Sequence, residues 1–315
     1  MANKKRRNKY IIFSALGVIL IGIIILISLP KKSEDQFIEN ELKDFLNSND
    51  INKTEVEKDN FSMDSVIENV SSPVEMAALM LYLKVPFSKE YLSSTKNLDN
   101  YNTAFKKAIN LGILGADLGY LNMYNKTNVV LDYISAIRDL ANDLHIGQFF
   151  DFTTLKRLVS NNTNLDSLML ISVQSFNKMD RYLQENNSRN LSVLMISGVW
   201  IEGIYLVTQV YKEYPNVKIK ETIGDQKQIV NILQSMIFKY KRDAFFKALS
   251  DDFTELKDIF EEVKITIEET EPQMIEMNGV VTFVPGQKSV ISISDETMKK
   301  ITEKIAELRN KVISS

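Results

Sequence analysis

The hydrophobic positions of this chain form one long uninterrupted run near the start and many shorter, helically spaced groups after it. Residues 10–29 are 20 positions without a charged side chain, and at about 1.5 Å rise per residue they match a hydrocarbon core of roughly 30 Å. Lys4 to Lys9 carry more positive charge than Lys31 and Lys32, so the positive-inside bias keeps the N-terminus in the cytoplasm. The pattern predicts a transmembrane anchor over 10–29, with the main domain outside the cytoplasm.

A cleaved signal peptide is the alternative interpretation of the same run. The run is longer than the usual apolar core of a signal peptide, and residues 28–32 offer no small-x-small cleavage site. Lipoprotein processing needs a cysteine directly after the apolar segment, and the chain has no Cys. We therefore expect an uncleaved single-pass anchor between a basic cytoplasmic tail over 1–9 and a stalk with a short amphipathic helix over 30–64.

From residue 65 onward, apolar residues recur mainly at intervals of three and four, which is typical of helices packed in a bundle. Short connectors rich in Asn, Ser or Pro, such as 186–188 and 214–216, separate these groups. The fold class is therefore predicted to be all-α, with a helical domain over 65–270. The expected helices are one ending near Lys84, followed by 88–94, 99–123, 127–144, 152–160, 165–186, 189–213, 225–248 and 251–268.

The pattern changes over 271–315, after Glu271-Pro272. Asn278-Gly279 followed by valine-rich and isoleucine-rich runs is compatible with a small β-hairpin near 274–293 or with an extended segment. Ser294 then caps a final helix whose apolar stripe recurs at intervals of three and four. That stripe covers only about two heptads, so we expect the helix to pack on its own domain rather than in a coiled coil. Its members are Met298, Ile301, Ile305, Leu308 and Val312.

Apart from the predicted anchor, the segments with the fewest charges are 108–124 and 191–211. Each contains one charged residue, Asp117 in the first and Glu202 in the second. Helices that are apolar all round are buried, and a carboxyl group inside one must be paired, hydrogen-bonded or protonated with a raised pKa. Both acids are predicted to be buried on neighbouring central helices, with raised pKa values unless a base or donor compensates them.

Glycines surround both acids and need an explanation. A glycine inside a helix costs about 0.5 to 1 kcal/mol relative to alanine. Close approach of two backbones would explain such a cost. The glycines concerned are Gly112, Gly115 and Gly119 around Asp117, and Gly198 and Gly203 around Glu202.

Three interpretations of the two acids are open from the sequence. In the first, a neighbouring hydroxyl, amide or base satisfies Asp117 and Glu202, which then only fix helix packing. In the second, the acids form a ligand-binding site with Tyr120 and Tyr205, each three residues after its acid, in an apolar lining. The third makes 191–210 a second membrane span, which Glu202 disfavours because an acid at bilayer depth costs roughly 2.5 to 3.5 kcal/mol.

Composition excludes several kinds of site. The net charge is -3, and the chain beyond residue 30 has no basic cluster, which argues against a nucleic-acid partner. With no Cys and one histidine, His145, the chain has no thiolate nucleophile, no Cys-ligated metal and no site that needs two histidines. The common hydrolase, NTPase and dinucleotide-binding motifs are absent from the sequence. We therefore expect no catalytic residue, no cofactor and no metal site.

Three stretches of the sequence carry a resemblance to other proteins: 110–120 (NLGILGADLGY), 198–206 (GVWIEGIYL) and 301–311 (ITEKIAELRNK). They resemble a group of uncharacterised helical cell-envelope proteins of Bacteroidota over about residues 65–315. The resemblance implies an envelope location and no known activity, because these motifs are structural rather than catalytic. Such proteins are typically lipoproteins, whereas this chain replaces the lipidated cysteine with the predicted anchor.

These observations give one expected function and two alternatives. We expect a membrane-anchored periplasmic or otherwise extracytoplasmic protein that acts as an interaction or scaffold module of the cell envelope, with an unknown partner. A ligand-binding or sensory domain, with a pocket between the helices that carry Asp117 and Glu202, is the alternative. An enzyme that uses the two acids as an acid/base pair is the least favoured, because no nucleophile, metal set or cofactor motif accompanies them.

Overall fold

The computed structural model describes residues 79–80, 83–153, 165–277 and 280–314. The predicted anchor and stalk lie outside the described residues, as does most of the predicted helix 152–160. The described chain is mostly helical and contains one antiparallel two-stranded sheet. The prediction of a mainly helical fold is therefore confirmed.

The described elements follow one another in a simple order. They are α1 (Ala104–Met123), α2 (Thr127–Asp143), α3 (Leu165–Glu185), α4 (Arg189–Glu213), α5 (Val217–Asp225), α6 (Lys227–Phe238), α7 (Ala244–Glu261), β1 (Lys264–Met277), β2 (Val280–Ser292) and α8 (Asp295–Ser314). Short 3-10 helices precede α1 and follow α2, at Lys89–Tyr91, Leu98–Asn100 and Gly147–Phe149.

Capping side chains explain where several of these helices begin. Thr103, Asn216 and Asp243 each accept a hydrogen bond from a backbone N–H two or three residues further on, at the starts of α1, α5 and α7. Ser294 does the same at the start of α8, as predicted. Such caps satisfy amide groups that have no partner within the helix.

Two of the predicted helix boundaries are wrong because of these caps. The predicted helix 225–248 is divided, with α6 ending at Phe238 and Asp243 starting α7 as its cap. The predicted helix 99–123 begins later, because Thr103 fixes the start of α1, and a separate 3-10 helix precedes it.

Helix α4 lies at the centre of the domain. It packs along α1 and also contacts α3, α5, α6 and α8. Trp200, in the middle of α4, is fully buried, and its indole N–H donates to Oε1 of Gln226 at 3.1 Å. Among the described helices, α4 alone is long and apolar enough to cross a membrane, and 83% of that apolar stretch is buried within the domain. Such burial on all sides is typical of a core helix.

The hairpin begins earlier than the sequence predicts. Strand β1 starts at Lys264, whereas the predicted hairpin starts at 274 and the predicted helix before it runs to 268. Helix α7 ends at Glu261. The three consecutive β-branched residues Ile265, Thr266 and Ile267 explain the correction, because such residues favour strands over helices.

The base of the hairpin packs on the helical domain through α5. Gly224 lies so close to β2 that an added Cβ would sit 2.5 Å from Cγ2 of Ile291. Antiparallel pairing runs from Lys264 with Ser292 to Met277 with Val280, with an irregularity after Thr270. Helix α8 follows the hairpin directly and packs on α4, α7 and α1. The five predicted stripe residues of α8 are all buried, so the final helix does pack on its own domain.

Candidate functional site

Helices α1 and α4 touch backbone to backbone at two glycines. A Cβ at Gly112 would lie 2.0 Å from a carbonyl oxygen of α4, and a Cβ at Gly198 would lie 2.0 Å from a carbonyl oxygen of α1. No side chain fits at either position, so the predicted close approach explains both. Gly115 and Gly119 differ, because a Cβ at either would meet nothing within 4 Å.

The two acids lie on these two helices and are fully buried. Glu202 on α4 forms a bidentate ion pair with Arg309 on α8, whose Nε and Nη2 each donate to a different carboxylate oxygen at 2.9 Å. The ring of Tyr205 lies against the same guanidinium, with 4.3 Å between Cζ and the ring centroid. Bidentate pairing and ring stacking use the planar geometry that distinguishes arginine from lysine.

Arg309 also joins the second acid to the cluster through the segment before α1. Its Nη2 donates to the carbonyl oxygen of Tyr91 at 3.1 Å and to the hydroxyl of Ser93 at 2.7 Å. The backbone N–H of Ser93 donates to Oδ2 of Asp117 at 3.0 Å. The hydroxyl of Tyr133 on α2 donates to the carbonyl of Ser93. One connected cluster thus joins α1, α2, α4, α8 and the 91–93 segment.

The electrostatic environment changes the pKa of both Asp117 and Arg309. Burial and then the negative charge of Glu202 raise the pKa of Asp117 well above its usual range, and Arg309 and the Ser93 N–H oppose that rise without cancelling it. For Arg309, burial favours the neutral form, but the charge and hydrogen bonds of Glu202 outweigh burial and raise its pKa. The prediction of a buried acid with a raised pKa is confirmed for Asp117.

The four predicted ligand-binding residues do not all meet. Asp117, Glu202 and Tyr205 surround Arg309, whereas the hydroxyl of Tyr120 accepts the backbone N–H of Ser88 at 3.0 Å. The ring of Tyr120 stacks on Phe87 with 5.5 Å between centroids. Burial raises the pKa of both tyrosines. Tyr120 therefore attaches the 87–88 segment to α1, and its hydroxyl bonds to that segment rather than to the cluster around Arg309.

The residues that complete the cluster were not identified from the sequence. Arg309 lies four residues after Ile305 and three before Val312, so it falls on the predicted apolar stripe of α8. A base at a buried helical position is the signal that could have indicated a partner for a buried acid. Ser93 lies outside the helices, between two 3-10 helices, and contributes its hydroxyl as well as its backbone N–H and carbonyl. No residue pattern reveals this role.

A second set of charges fastens α8 to α7. The ammonium group of Lys304 lies 3.2 Å from Oδ1 of Asp252 and also pairs with Glu255 and Glu307, while Lys311 pairs with the other oxygen of Asp252. Lys304 and Asp252 are nearly buried, but their outer partners are exposed. This edge cluster, defined by these five residues, is open to water on one side.

In the buried cluster, Arg309 and Glu202 form a fixed ion pair. The cluster contains no metal-binding group of side chains and no nucleophile paired with a general base. Across the described ranges, no three His, Asp or Glu side chains converge as a metal-binding group. Comparison of the chain with family models, with curated proteins and with solved structures finds no match. Function is therefore inferred from the geometry of the domain.

Proposed function

We propose that this protein is an interaction or scaffold module of the cell envelope, whose rigid helical domain presents a fixed surface to another protein. One observation carries the proposal: the acids at the centre of the domain bond to the protein itself. Glu202 pairs with Arg309, and Asp117 accepts the N–H of Ser93. Side chains already engaged in this way support a structural role for the centre of the domain.

The contact between α1 and α4 supports the same proposal. At Gly112 and Gly198 the two backbones are in contact, so the helices leave no space between them at these positions. A ligand that entered between the acid-bearing helices would have to separate this contact and displace Arg309 from Glu202. Breaking a buried ion pair without replacement costs about 3 to 5 kcal/mol, so the geometry favours a closed core.

Exposed apolar side chains indicate where a partner could bind. Val217 at the start of α5 is 69% exposed, and Ile267 on β1 is 66% exposed. Isolated apolar residues are normal on a surface, but interfaces form around them when a partner supplies a matching patch. The scaffold proposal therefore predicts protein contacts at one or both positions.

Site-specific photo-crosslinking in living cells tests this contact. A photoreactive phenylalanine is placed at Val217 or Ile267 of the full-length chain, with the exposed, polar Lys299 as the matched control position. We expect a discrete heavier adduct from Val217 or Ile267 and none from Lys299. Folded protein with no adduct from either apolar position would contradict the proposal.

Native mass spectrometry of the full-length protein tests the ligand-binding alternative. The scaffold proposal predicts the mass of the chain alone, in the wild type and in Asp117→Asn. A bound small molecule that is present in the wild type and absent from a folded Asp117→Asn variant would instead assign the central cluster to a ligand.

We further propose that residues 10–29 anchor the chain in a membrane and place the domain outside the cytoplasm, in keeping with the resemblance to Bacteroidota envelope proteins. The length of the run and the flanking charges support this topology. Alkaline phosphatase fused after Ser315 should be active, with a fusion to a chain lacking residues 10–29 as the inactive control. An inactive full-length fusion would reverse the topology.

A further inference from the structure

The central cluster contains more negative than positive groups. Glu202 and Asp117 are fully buried, and Arg309 is the basic group that faces them. The titratable groups around Asp117 come from each element packed there: Glu202 and Tyr205 from α4, Arg309 from α8, Tyr133 from α2, Tyr120 from α1 itself, and Tyr101 from the segment before α1. Burial raises the pKa of Tyr101 to about 12, and it raises the pKa of Tyr133 and of Tyr205 too, so these phenols stay neutral.

The hydrogen-bond donors around Asp117 do not suffice for an ionised carboxylate. Oδ2 accepts the N–H of Ser93, but Oδ1 is buried and has no donor from any residue in the described ranges. A side-chain hydrogen bond with Glu202 is among the causes that raise the pKa of Asp117. Two ionised carboxylates offer only acceptors to each other, so a contact between them requires a proton.

We infer that Asp117 keeps its proton at neutral pH and donates it to Glu202, so that the Asp117–Glu202–Arg309 cluster is a proton-dependent latch on α8. In this state Glu202 carries the one negative charge and Arg309 the one positive charge. The acid–acid contact then satisfies the carboxyl oxygen that otherwise has no donor. This inference goes beyond the proposed function and does not depend on it.

The latch should weaken as the pH rises. Since the pKa of Asp117 is raised in the folded state, its proton contributes stability that is fully present below the ordinary aspartate pKa of about 3.9. That contribution is lost as the pH rises towards the raised value, because the unfolded chain gives up the proton first. When Asp117 finally ionises, two buried carboxylates compete for one guanidinium, and the attachment of α8 loosens.

Infrared spectroscopy of the full-length protein tests the proton directly. A protonated buried carboxyl absorbs apart from carboxylates, and Asp117 is a fully buried carboxyl whose pKa burial raises. We expect this band at neutral pH in the wild type and in the control Asp258→Asn, an exposed position on α7, and its loss in Asp117→Asn. A neutral wild-type spectrum without the band, or a band that persists in Asp117→Asn, would overturn the inference.

Hydrogen exchange tests the latch. The peptide 295–314 is followed from pH 5 upwards in the wild type and in Asp117→Asn, whose amide can still donate to Glu202 and accept from Ser93. We expect the wild type to lose protection relative to the variant by up to about tenfold per pH unit, the slope of one linked proton. Equal pH dependence in the two proteins would contradict the latch. If Asp117→Asn fails to fold, the wild-type infrared band is followed to alkaline pH instead. The latch predicts that the band disappears there, and a band that stays unchanged excludes the latch.

Discussion

Two of the groups of charges that fasten helix α8 differ in their access to water. The cluster of Asp117, Glu202 and Arg309 is buried away from solvent. The guanidinium of Arg309 donates hydrogen bonds to Glu202, Tyr91 and Ser93. The edge cluster around Lys304 and Asp252 has exposed outer partners. Both clusters hold α8 against the rest of the domain. The central cluster is shielded from water, whereas the edge cluster is open to water on one side.

The difference shows how environment decides the geometry and the cost of ion pairs. In the buried cluster each charge must be matched by a fixed partner, because lost hydration is not replaced by water. This explains a bidentate arginine at the centre and a lysine at the edge, where several acids share one ammonium group. The buried pair should therefore be sensitive to any substitution, and the edge cluster should tolerate the loss of a member.

The largest effect is expected for Arg309→Met. This change leaves Glu202 buried without its positive partner, and breaking a buried pair in this way costs about 3 to 5 kcal/mol. Urea unfolding of the full-length chain in detergent, followed by circular dichroism, measures the loss. A cost below about 1 kcal/mol would place Glu202 in contact with water and remove the contrast between the two clusters.

The next effect concerns the helix contact that surrounds the buried cluster. Gly112→Ala and Gly198→Ala should each destabilise the domain by about 1 to 3 kcal/mol, because the new methyl group meets a backbone carbonyl that has no freedom to move aside. Gly115→Ala is the matched control on the same helix. There the methyl group meets open space, so a gain of roughly 0.5 to 1 kcal/mol is expected. Equal effects at Gly112 and Gly115 would show that the close approach is absent.

A smaller effect is expected at the edge cluster. Lys304→Met should cost roughly 1 kcal/mol. Lys304 and Asp252 are nearly buried, but Asp252 keeps Lys311 as a partner and the acids Glu255 and Glu307 are exposed to water. Added salt should reduce the difference between the variant and the wild type. A cost as large as that of Arg309→Met would mean that water does not reach the edge cluster.

The smallest effect is expected at the exposed start of α8. Asp295 is 94% exposed, and a hydrogen bond from Lys220 lowers its pKa. A lowered pKa contributes stability above the ordinary aspartate value of about 3.9 that is lost as the pH falls through the lowered value. Thermal melts of Asp295→Asn should therefore differ slightly from the wild type at neutral pH and coincide with it in acid. A difference that grows in acid would contradict this sign.

The sequence predicts the acids of the buried cluster better than it predicts their partner. Asp117 and Glu202 are conspicuous because each is the sole charge in a long apolar segment, 108–124 and 191–211 respectively. Arg309 lies 107 residues after Glu202 on a helix with many other charges, so only the fold reveals which base turns inward. The spacing of hydrophobic residues indicates which positions of one helix are buried. Which acid pairs with which base depends on how helices that are distant in sequence pack together.

The limits of local patterns are also visible at the hairpin and at the glycines. No Gly or Pro separates the end of α7 from Ile265, so the change from helix to strand is marked only by the β-branched residues 265–267 and by no helix-breaking residue. Gly112 and Gly115 look alike in the sequence, yet only Gly112 contacts α4. Such differences depend on tertiary packing, which decides which of two similar positions faces the neighbouring helix.

The central claim is that buried Glu202 stabilises the packing of α8 through its ion pair with Arg309. A double-mutant cycle between these two residues tests this claim most directly. Unfolding free energies are measured for Glu202→Gln, Arg309→Met and the double variant of the full-length chain. We predict that the two changes interact by at least about 2 kcal/mol, with the double variant more stable than Arg309→Met alone, since it no longer buries an unpaired charge. Effects that add within about 0.5 kcal/mol would contradict the claim.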